Sequence, residues 1–389
     1  MADPAPRQRT APVLWALLTG NFMIATGVMV VPGTLNEISA SLQVTVAVAG
    51  QLITASGVVM AIGAPVFAAV LAGTDRRRLL TFCLVWYALL HAACALAPDF
   101  AWLLPLRVLA VFAPAVFTPQ AAACVGLLVP LQERGRAIAF IFLGWSAASV
   151  LGTPLGAWVG GTFGWRAAFG LVALLSLASA AWVWRAMPGG LKPPALSLLA
   201  WRQTFGSPVL MTTVAVTVLS AAGQFVMFAY FAPYFHARLG LGPAGLGLVF
   251  MWFGLFGLLG NVLMSRHIDR LGADRAVLIG IGLMALSLLT FPLGTSVLLL
   301  ALVLAPWALG CFSSNSAQQA RLVAVAPPLA AASVALNTSA MYAGQAIGAG
   351  TGGWLIASGR MDELHLWGFC GLVAAMATSV LASRLGHSR

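Results

Sequence analysis

The stretch Ser146–Gly161 reads SAASVLGTPLGAWVGG, and a related stretch, TSAMYAGQAIGAGTGG, occupies Thr338–Gly353. The offset of 192 residues between them also places Arg78 opposite Arg270, in two short basic segments. This weak internal symmetry predicts that the chain consists of two related halves that run in the same direction. The matched positions are Gly152 with Gly344, Gly156 with Gly348, Ala157 with Ala349, Gly160 with Gly352 and Gly161 with Gly353.

The composition predicts that both halves lie in a membrane. Of the 389 residues, 61% are hydrophobic and 7% are charged, and the mean hydropathy is +0.96, whereas a soluble domain carries roughly 25% charged residues. A water-soluble enzyme is therefore excluded. About 20 apolar residues span a bilayer. Stretches of that length predict twelve spans, at residues 12–34, 46–72, 79–98, 102–128, 137–161, 167–187, 208–235, 243–264, 275–294, 297–318, 328–357 and 365–384.

The basic residues predict how these spans are oriented. Twenty Lys and Arg against nine Asp and Glu give a net charge of +11. If the N-terminus is cytoplasmic, most of the basic residues fall in inside loops, whereas Arg166, Arg238 and Arg360 fall outside. The positive-inside rule then places both termini in the cytoplasm. It also accounts for the excess of positive charge without any nucleic-acid partner.

A polar interruption near the middle of the chain predicts the domain boundaries. Residues 188–207 contain the longest such interruption and are interpreted as a cytoplasmic linker. They separate an N-terminal six-helix bundle, residues 1–187, from a C-terminal six-helix bundle, residues 208–389. The predicted fold is therefore an all-α membrane protein with twelve transmembrane helices in two pseudo-symmetric bundles, and such repeats place a substrate site between the bundles at the membrane midplane.

Two loops combine acidic, basic and turn-forming residues. Asp75 and Arg78 lie after the second span, and Asp269 and Arg270 lie after the eighth. Such groups can form a latch between neighbouring helices that breaks when the halves move. Arginines that merely set the membrane topology explain these loops equally well.

Arg107 lies within the fourth predicted span. A charge in hydrocarbon is costly unless it faces an aqueous cavity or a partner, so Arg107 is interpreted as a functional residue that faces inward. The alternative is an Arg that extends to the outer headgroups.

The fifth span carries Gly152, Pro154 and Gly156. Small residues four apart allow close helix packing, and the proline removes a backbone hydrogen bond and favours a kink. Ordinary helix packing is the simpler explanation of the same residues.

These motifs together resemble the major facilitator superfamily. The two loops are similar to its D-R-x-G-R-R element, although the first copy lacks the usual glycine. Arg107 matches the fourth-helix arginine of its proton-coupled exporters, and Gly152-Thr153-Pro154-Leu155-Gly156 with Gly160-Gly161 resembles the G-P-x-x-G-G element of drug exporters. The likeness is strongest to twelve-helix drug:proton antiporters of the bacterial sugar-efflux and chloramphenicol-resistance type. It implies a monomeric multidrug or metabolite efflux protein of the bacterial cytoplasmic (inner) membrane.

Polar and aromatic side chains inside other spans are candidates for substrate binding. Amides that face lipid are unfavourable, so some of them must line a central path. Hydrogen bonding between helices explains any single amide as well, and an aromatic residue is more often lipid-facing or core. The candidates are Asn21, Phe22, Gln51, Gln120, Gln224, Trp252, Asn337, Tyr342 and Gln345, with Asn261, Asn315, Phe225, Phe256 and Trp307 as further members.

No Asp or Glu lies deep in any predicted span, so the proton carrier is not obvious. Glu37 is one candidate, because it can pair with Arg107 near the outer helix ends; a solvated Glu37 is the alternative. His91 is another, because histidine titrates near neutrality; a neutral, packed histidine is the alternative. With Arg107 as the deep charge, the cavity is expected to be neutral to positive and to favour neutral amphiphiles or weak anions.

The sequence contains no Walker loop, no zinc-ligand spacing and no G-x-S-x-G element. We therefore expect no cofactor, no metal and no enzymatic activity. The predicted function is secondary active export of small amphiphilic molecules by alternating access, in antiport with protons. A proton-independent facilitator or importer of a neutral or anionic metabolite is the alternative.

Overall fold

The computed structural model describes residues 6–71, 73–130, 133–192 and 198–387, and within these ranges the chain is helical with no β-strand. The all-α prediction is confirmed. Residues 193–197 of the predicted linker lie outside the described residues.

Nine α-helices form the first half of the described chain. They are α1 (Pro6–Gly33), α2 (Leu35–Ser41), α3 (Val46–Val70), α4 (Arg76–Ala95), α5 (Phe100–Ala110), α6 (Phe112–Leu128), α7 (Arg134–Ala147), α8 (Thr153–Phe163) and α9 (Trp165–Ala186). A π-helical turn, Ala148–Gly152, joins α7 to α8.

Eight α-helices form the second half of the described chain. They are α10 (Leu198–Phe205), α11 (Pro208–Phe228), α12 (Phe231–Leu239), α13 (Pro243–Leu271), α14 (Ala273–Thr290), α15 (Val297–Val325), α16 (Ala330–Ala357) and α17 (Leu364–His387).

Eleven stretches of the described residues are long and apolar enough to cross a membrane. These stretches match eleven of the twelve predicted spans. The exception is the eleventh predicted span, residues 328–357, which forms the 28-residue helix α16 but is not one of these stretches. The reason is composition, because α16 is rich in Gly, Ala, Ser and Thr and carries Asn337 and Gln345. It packs against α11 and α3, and most of its polar residues are buried.

Prolines explain why two predicted spans are broken. The span at 102–128 divides into α5 and α6 at Val111, and the span at 208–235 divides into α11 and α12 after Phe228. Pro114 and Pro233 have no N–H to donate to the carbonyl groups four residues earlier, at Ala110 and Ala229. Each break begins at or next to the carbonyl that has lost its partner.

The helices of each half pack mainly on one another. In the first half α1 contacts α7, α8 and α9, and α4 packs on α9; in the second half α11 packs on α16 and α17, and α15 packs on α13 and α14. Contacts between the halves join α3 to α16, α8 to α13, and α12 to both α1 and α2. We call the end of the bundle where residues 188–207 join the halves the linker end, and the opposite end, with α2 and α12, the distal end.

The halves touch closely at the distal end. A Cβ added to Gly50 would lie 2.1 Å from Tyr230 Oη, and one added to Gly161 would lie 2.2 Å from Pro243 Cβ. Each pair joins a residue of the first half to a residue of the second half. The distal end is therefore closed by tight packing between the two halves.

Candidate functional site

A cavity of about 1420 Å³ lies between the two halves. Its deep wall includes Pro32 of α1 and Phe228 of α11, and it extends to Arg76, Arg134 and Arg266 at the linker end. Both halves therefore supply its lining, and its volume suits a small organic molecule rather than an ion alone.

Besides Phe225, Asn261 and Asn315 from the further candidates, five of the predicted binding residues line this cavity. Four of them are almost fully buried, and Gln224 is half-buried and donates to the Ser220 carbonyl. Asn337 accepts a hydrogen bond from the Thr217 hydroxyl, which ties α16 to α11. The five are Gln120, Gln224, Asn337, Tyr342 and Gln345.

Besides Asn21, Glu37 and His91, four other predicted binding or coupling residues do not line the cavity. Gln51 is exposed, because it lies on the outward side of α3. Trp252 is half-buried and donates from Nε1 to the Ala301 carbonyl at 2.9 Å. Phe22 is half-buried elsewhere on α1. The fourth is Arg107, which is described below.

Asn21 is a packing residue outside the cavity lining. It is fully buried. Its Oδ1 accepts from the Thr118 hydroxyl at 2.8 Å, and its Nδ2 donates to the Ile141 carbonyl at 3.0 Å. Asn21 thus joins α1 to α6 and α7, which is the alternative role that a buried amide can have.

Arg107 lies behind the cavity wall rather than in it. The side chain is 1% exposed. Its Nη1 is 3.1 Å from His91 Nε2, and its Nη2 donates to the Val28 carbonyl at 3.3 Å. Val28 does line the cavity. The prediction that Arg107 faces inward is therefore corrected. Its guanidinium group lies between α1 and α4, and α1 screens it from the cavity.

Glu37 does not pair with Arg107. It lies in α2 at the distal end, and its Oε2 is buried with no hydrogen-bond partner among the described residues. Burial raises the pKa of Glu37, an effect that its backbone and the nearby His236 of α12 partly oppose. Instead of the expected pairing with Glu37, Arg107 contacts the ring of His91. The two side chains meet because α4 and α5 pack against each other.

The predicted latches at the linker end are not formed as expected. Asp75 caps α4 by accepting from the Arg78 N–H, and it also accepts from the Gly190 N–H. These backbone hydrogen bonds, that of Gly190 first, lower the pKa of Asp75. The Arg78 side chain is exposed, and so are Asp269 and Arg270.

A different ion pair fastens the linker end of the second half. Arg321 of α15 pairs with Asp274 of α14 and donates to the hydroxyls of Ser379 and Ser383 on α17. Arg321 is 2% exposed. In the sequence, Arg321 is one of the basic residues of the predicted inside loops, and the two serines four residues apart on α17 were the available signal for its structural role.

The fifth-span motif forms a contact between the halves. The π-helical turn Ala148–Gly152 precedes Pro154, which has no N–H for the Val150 carbonyl. A Cβ added to Gly254 of α13 would lie 2.6 Å from the Ser149 carbonyl oxygen. Such turns often mark functional positions in helices. Here the turn lies where α13 crosses from the other half.

Several lining residues were not among the predicted ones. Thr118, Thr217 and Ser220 contribute hydroxyl groups, and Gln318 is 3% exposed with an Oε1 that has no partner among the described residues. Ser, Thr and Gln within apolar helices gave no distinct sequence signal, because only the packing shows which face of a helix meets the cavity.

The charge of the lining has one sign. Its charged members among the described residues are three arginines, Arg76, Arg134 and Arg266, and no Asp or Glu lines it there. Arg76 is buried and donates to the carbonyl groups of Leu71 and Thr74 at the end of α3. A molecule in the cavity thus meets amides, hydroxyls and aromatic rings, with positive charge toward the linker end.

Known proteins resemble this chain over almost its whole length. The family model described as Major Facilitator Superfamily matches residues 17–349 and 217–387. The chloramphenicol resistance protein of Streptomyces lividans is 32% identical over 385 residues, 93% of this chain and 95% of that protein. The inner membrane transport protein YdhP of Escherichia coli (strain K12) is 28% identical over 354 residues, 89% of each chain.

A solved structure shares the fold. It is a bacterial homologue of the human lysosomal transporter Spinster in an inward-facing, unoccupied conformation, with a TM-score of 0.75, 18% identity and coverage of 98% of each chain. The predicted family resemblance is confirmed. This chain is a multi-pass membrane transporter, not an enzyme, and it belongs to the Major Facilitator Superfamily.

Proposed function

We propose that this transporter exports small amphiphilic molecules from the bacterial cytoplasm by alternating access, in exchange for protons. The observation that carries the proposal is a cavity lined by both halves, which extends to the linker end and is closed at the distal end by contacts such as Gly50 with Tyr230. With the linker end in the cytoplasm, as the basic residues predict, this is an inward-facing arrangement that can admit a cytoplasmic substrate.

The lining supports a neutral or weakly anionic substrate. A cation needs an unpaired carboxylate in a low-dielectric cavity, and the charged lining residues among those described are arginines. Phe225, Phe228 and Phe253 offer aromatic surface, and Gln224 and Gln345 offer amides. The resistance protein that this chain resembles is named for chloramphenicol, a neutral compound that suits such a lining.

Proton-independent transport remains the second candidate function, since no carboxylate lines the cavity among the described residues. Under antiport, Glu37 or His91 is the candidate proton carrier, and neither lines the cavity. Under facilitated diffusion or import, neither group needs to titrate during the cycle.

The test uses the purified chain in proteoliposomes and radiolabelled chloramphenicol as the probe. We expect counterflow of the probe, and accumulation driven by an inwardly acidic pH gradient that collapses when the gradient is dissipated. Gln345→Ala should raise the KM, because Gln345 lines the cavity, whereas the matched control Gln51→Ala should not, because Gln51 is exposed. Counterflow that is indifferent to the gradient would favour the facilitator instead.

A further inference from the structure

A buried cluster of three hydrogen-bonded side chains connects α4 and α5 to α1. Arg107 Nη1 is 3.1 Å from His91 Nε2, and His91 Nδ1 is 2.9 Å from the Tyr87 carbonyl oxygen. Tyr87 donates its hydroxyl to the Ile24 carbonyl at 3.0 Å. The side chains of Arg107, His91 and Tyr87 are at most 1% exposed, so water does not compete for these bonds.

The partners fix the tautomer of His91. A carbonyl oxygen can only accept, so Nδ1 must carry the proton and donate it to Tyr87. A guanidinium group has only donors, so Nε2 must accept from Arg107 through its lone pair. His91 is therefore neutral in this arrangement, with the Nδ1–H tautomer.

Pro32 explains why Arg107 binds the backbone of α1. In a regular helix the Val28 carbonyl accepts from the N–H of residue 32, but proline has none. The Val28 carbonyl is thus free to accept from another donor, and Arg107 Nη2 donates to it at 3.3 Å. A buried carbonyl without a partner is costly. Val28, Met29 and Pro32 all line the cavity, so this bond supports part of the cavity wall.

His91 is what holds Arg107 in place. Arg107 Nε has no hydrogen-bond partner among the described residues, and no acidic side chain there pairs with the guanidinium. Without the acceptor on His91, the guanidinium would keep the Val28 carbonyl and the nearby Tyr87 hydroxyl oxygen, but it would lose the contact that fixes Nη1. On another side His91 packs against the ring of Phe169 of α9, at 5.6 Å between ring centroids, and the Gly27 backbone of α1 also lies near the His91 ring.

We propose that His91 is a positioning residue for transport: its neutral imidazole holds the Arg107 guanidinium against the Val28 carbonyl that Pro32 leaves free, and so keeps the α1 wall of the cavity in its working geometry. The effect of His91 on transport rests on the proposed function. The hydrogen-bonded arrangement itself does not depend on any substrate.

The arrangement is tested by solid-state NMR of the full chain, labelled with ¹⁵N-histidine, in lipid bilayers at neutral pH. The chain has five histidines, and the His91 signals are those lost in His91→Gln. We expect one protonated nitrogen, Nδ1, and one unprotonated nitrogen, Nε2, whose signal moves in Arg107→Gln. A charged ring, the Nε2–H tautomer, or signals indifferent to Arg107→Gln would overturn the proposal.

The role in transport is tested by chloramphenicol counterflow. His91→Gln ends in an acceptor near the position of Nε2 and should retain most of the counterflow. His91→Met has no comparable acceptor and should lower kcat by about tenfold, or ~1.4 kcal/mol of barrier, with little change in KM because His91 does not touch the cavity. Leu84→Met, a buried change on the same helix, is the control and should behave as wild type.

The outcomes separate this inference from the proposed function. If wild type shows no counterflow, the proposed function fails, while NMR still decides the His91 arrangement. If wild type transports and His91→Met transports equally well, the positioning role is overturned and the proposed function stands. If His91→Met does not reach the membrane, His91→Asn, whose shorter amide cannot reach the position of Nε2, replaces it and should show the same loss of kcat.

Discussion

Gly348 of α16 lies against the backbone of Ala222 in α11, so that a Cβ added to Gly348 would be 2.3 Å from the Ala222 carbonyl oxygen. The positions 192 residues earlier are Gly156 and Val30, and they also face each other, between α8 and α1. There the nearest atom to an added Cβ is Val30 Cγ2, at 3.4 Å. The repeat thus relates both partners of the contact, but the two contacts differ in tightness.

This difference predicts unequal effects of alanine. Gly348→Ala should lower the free energy of unfolding by about 1–3 kcal/mol, because the backbone of α11 must move. Gly156→Ala should change it much less, because 3.4 Å is an ordinary contact. Thermal unfolding in detergent measures both, and Gly170→Ala is the control, since nothing lies within 4 Å of an added Cβ there. Equal losses at Gly156 and Gly348 would contradict the prediction.

Arg107 is expected to be essential for transport. Arg107→Ala should abolish counterflow at normal membrane expression, because the His91 acceptor and the Val28 carbonyl both lose their donor. Arg107→Lys should rescue it poorly, since an ammonium group cannot match the planar fork that spans both acceptors. The measurement is chloramphenicol counterflow together with the amount of protein in the membrane. Wild-type rates in the alanine variant would show that the pair is dispensable.

The ion pair of Arg321 with Asp274 is expected to stabilise the second half. Arg321→Met should lower the free energy of unfolding by about 1–3 kcal/mol, because it leaves Asp274 and the serines of α17 without their donor. Arg270→Met is the matched control: Arg270 is exposed, so its loss should stay within ~0.5 kcal/mol. Similar melting curves for the two variants would refute a structural role for Arg321.

Glu37 should destabilise the fold when it is ionised. Its pKa is raised above the ordinary value of 4.5 by burial, so the folded protein favours the protonated form and loses stability as the pH rises above that value. Glu37→Gln should therefore raise the melting temperature at pH 8 but not at pH 4. Glu363→Gln is the control; Glu363 pairs with Arg360, so neutralising it should bring no gain. A Glu37→Gln benefit that is the same at both pH values would rule out ionisation as its cause.

Substrate charge provides the last prediction. The cavity lining carries arginines and no described carboxylate, so neutral chloramphenicol should be exported and a quaternary ammonium dye should not. Efflux from expressing cells measures both compounds, with vector-only cells as the control. Strong export of the dye that persists in Glu37→Gln would show that the charge argument does not describe this cavity.

Part of the candidate site could be read from the sequence. Gln120, Gln224, Asn337, Tyr342 and Gln345 line the cavity, as expected because polar side chains inside apolar spans are unfavourable against lipid; Gln51, which is exposed, is the exception. The same rule cannot separate a cavity from a neighbouring helix. For that reason Asn21 satisfies its amide within the packing, and Arg107 finds His91 rather than the cavity.

The sequence by itself determined the membrane location and nearly all of the spans, because hydropathy accumulates along the chain and needs no knowledge of neighbours. It also determined the repeat and the family, because short motifs such as those around Gly156 and Gly348 can be compared directly. Only the tertiary structure decided that α16 packs against α3 and α11, that Arg321 rather than Asp269 fastens the linker end of the second half, and that His91 meets Arg107. Each of these depends on which faces of helices distant in the chain meet, and on the hydrogen-bond partners that burial then leaves within reach.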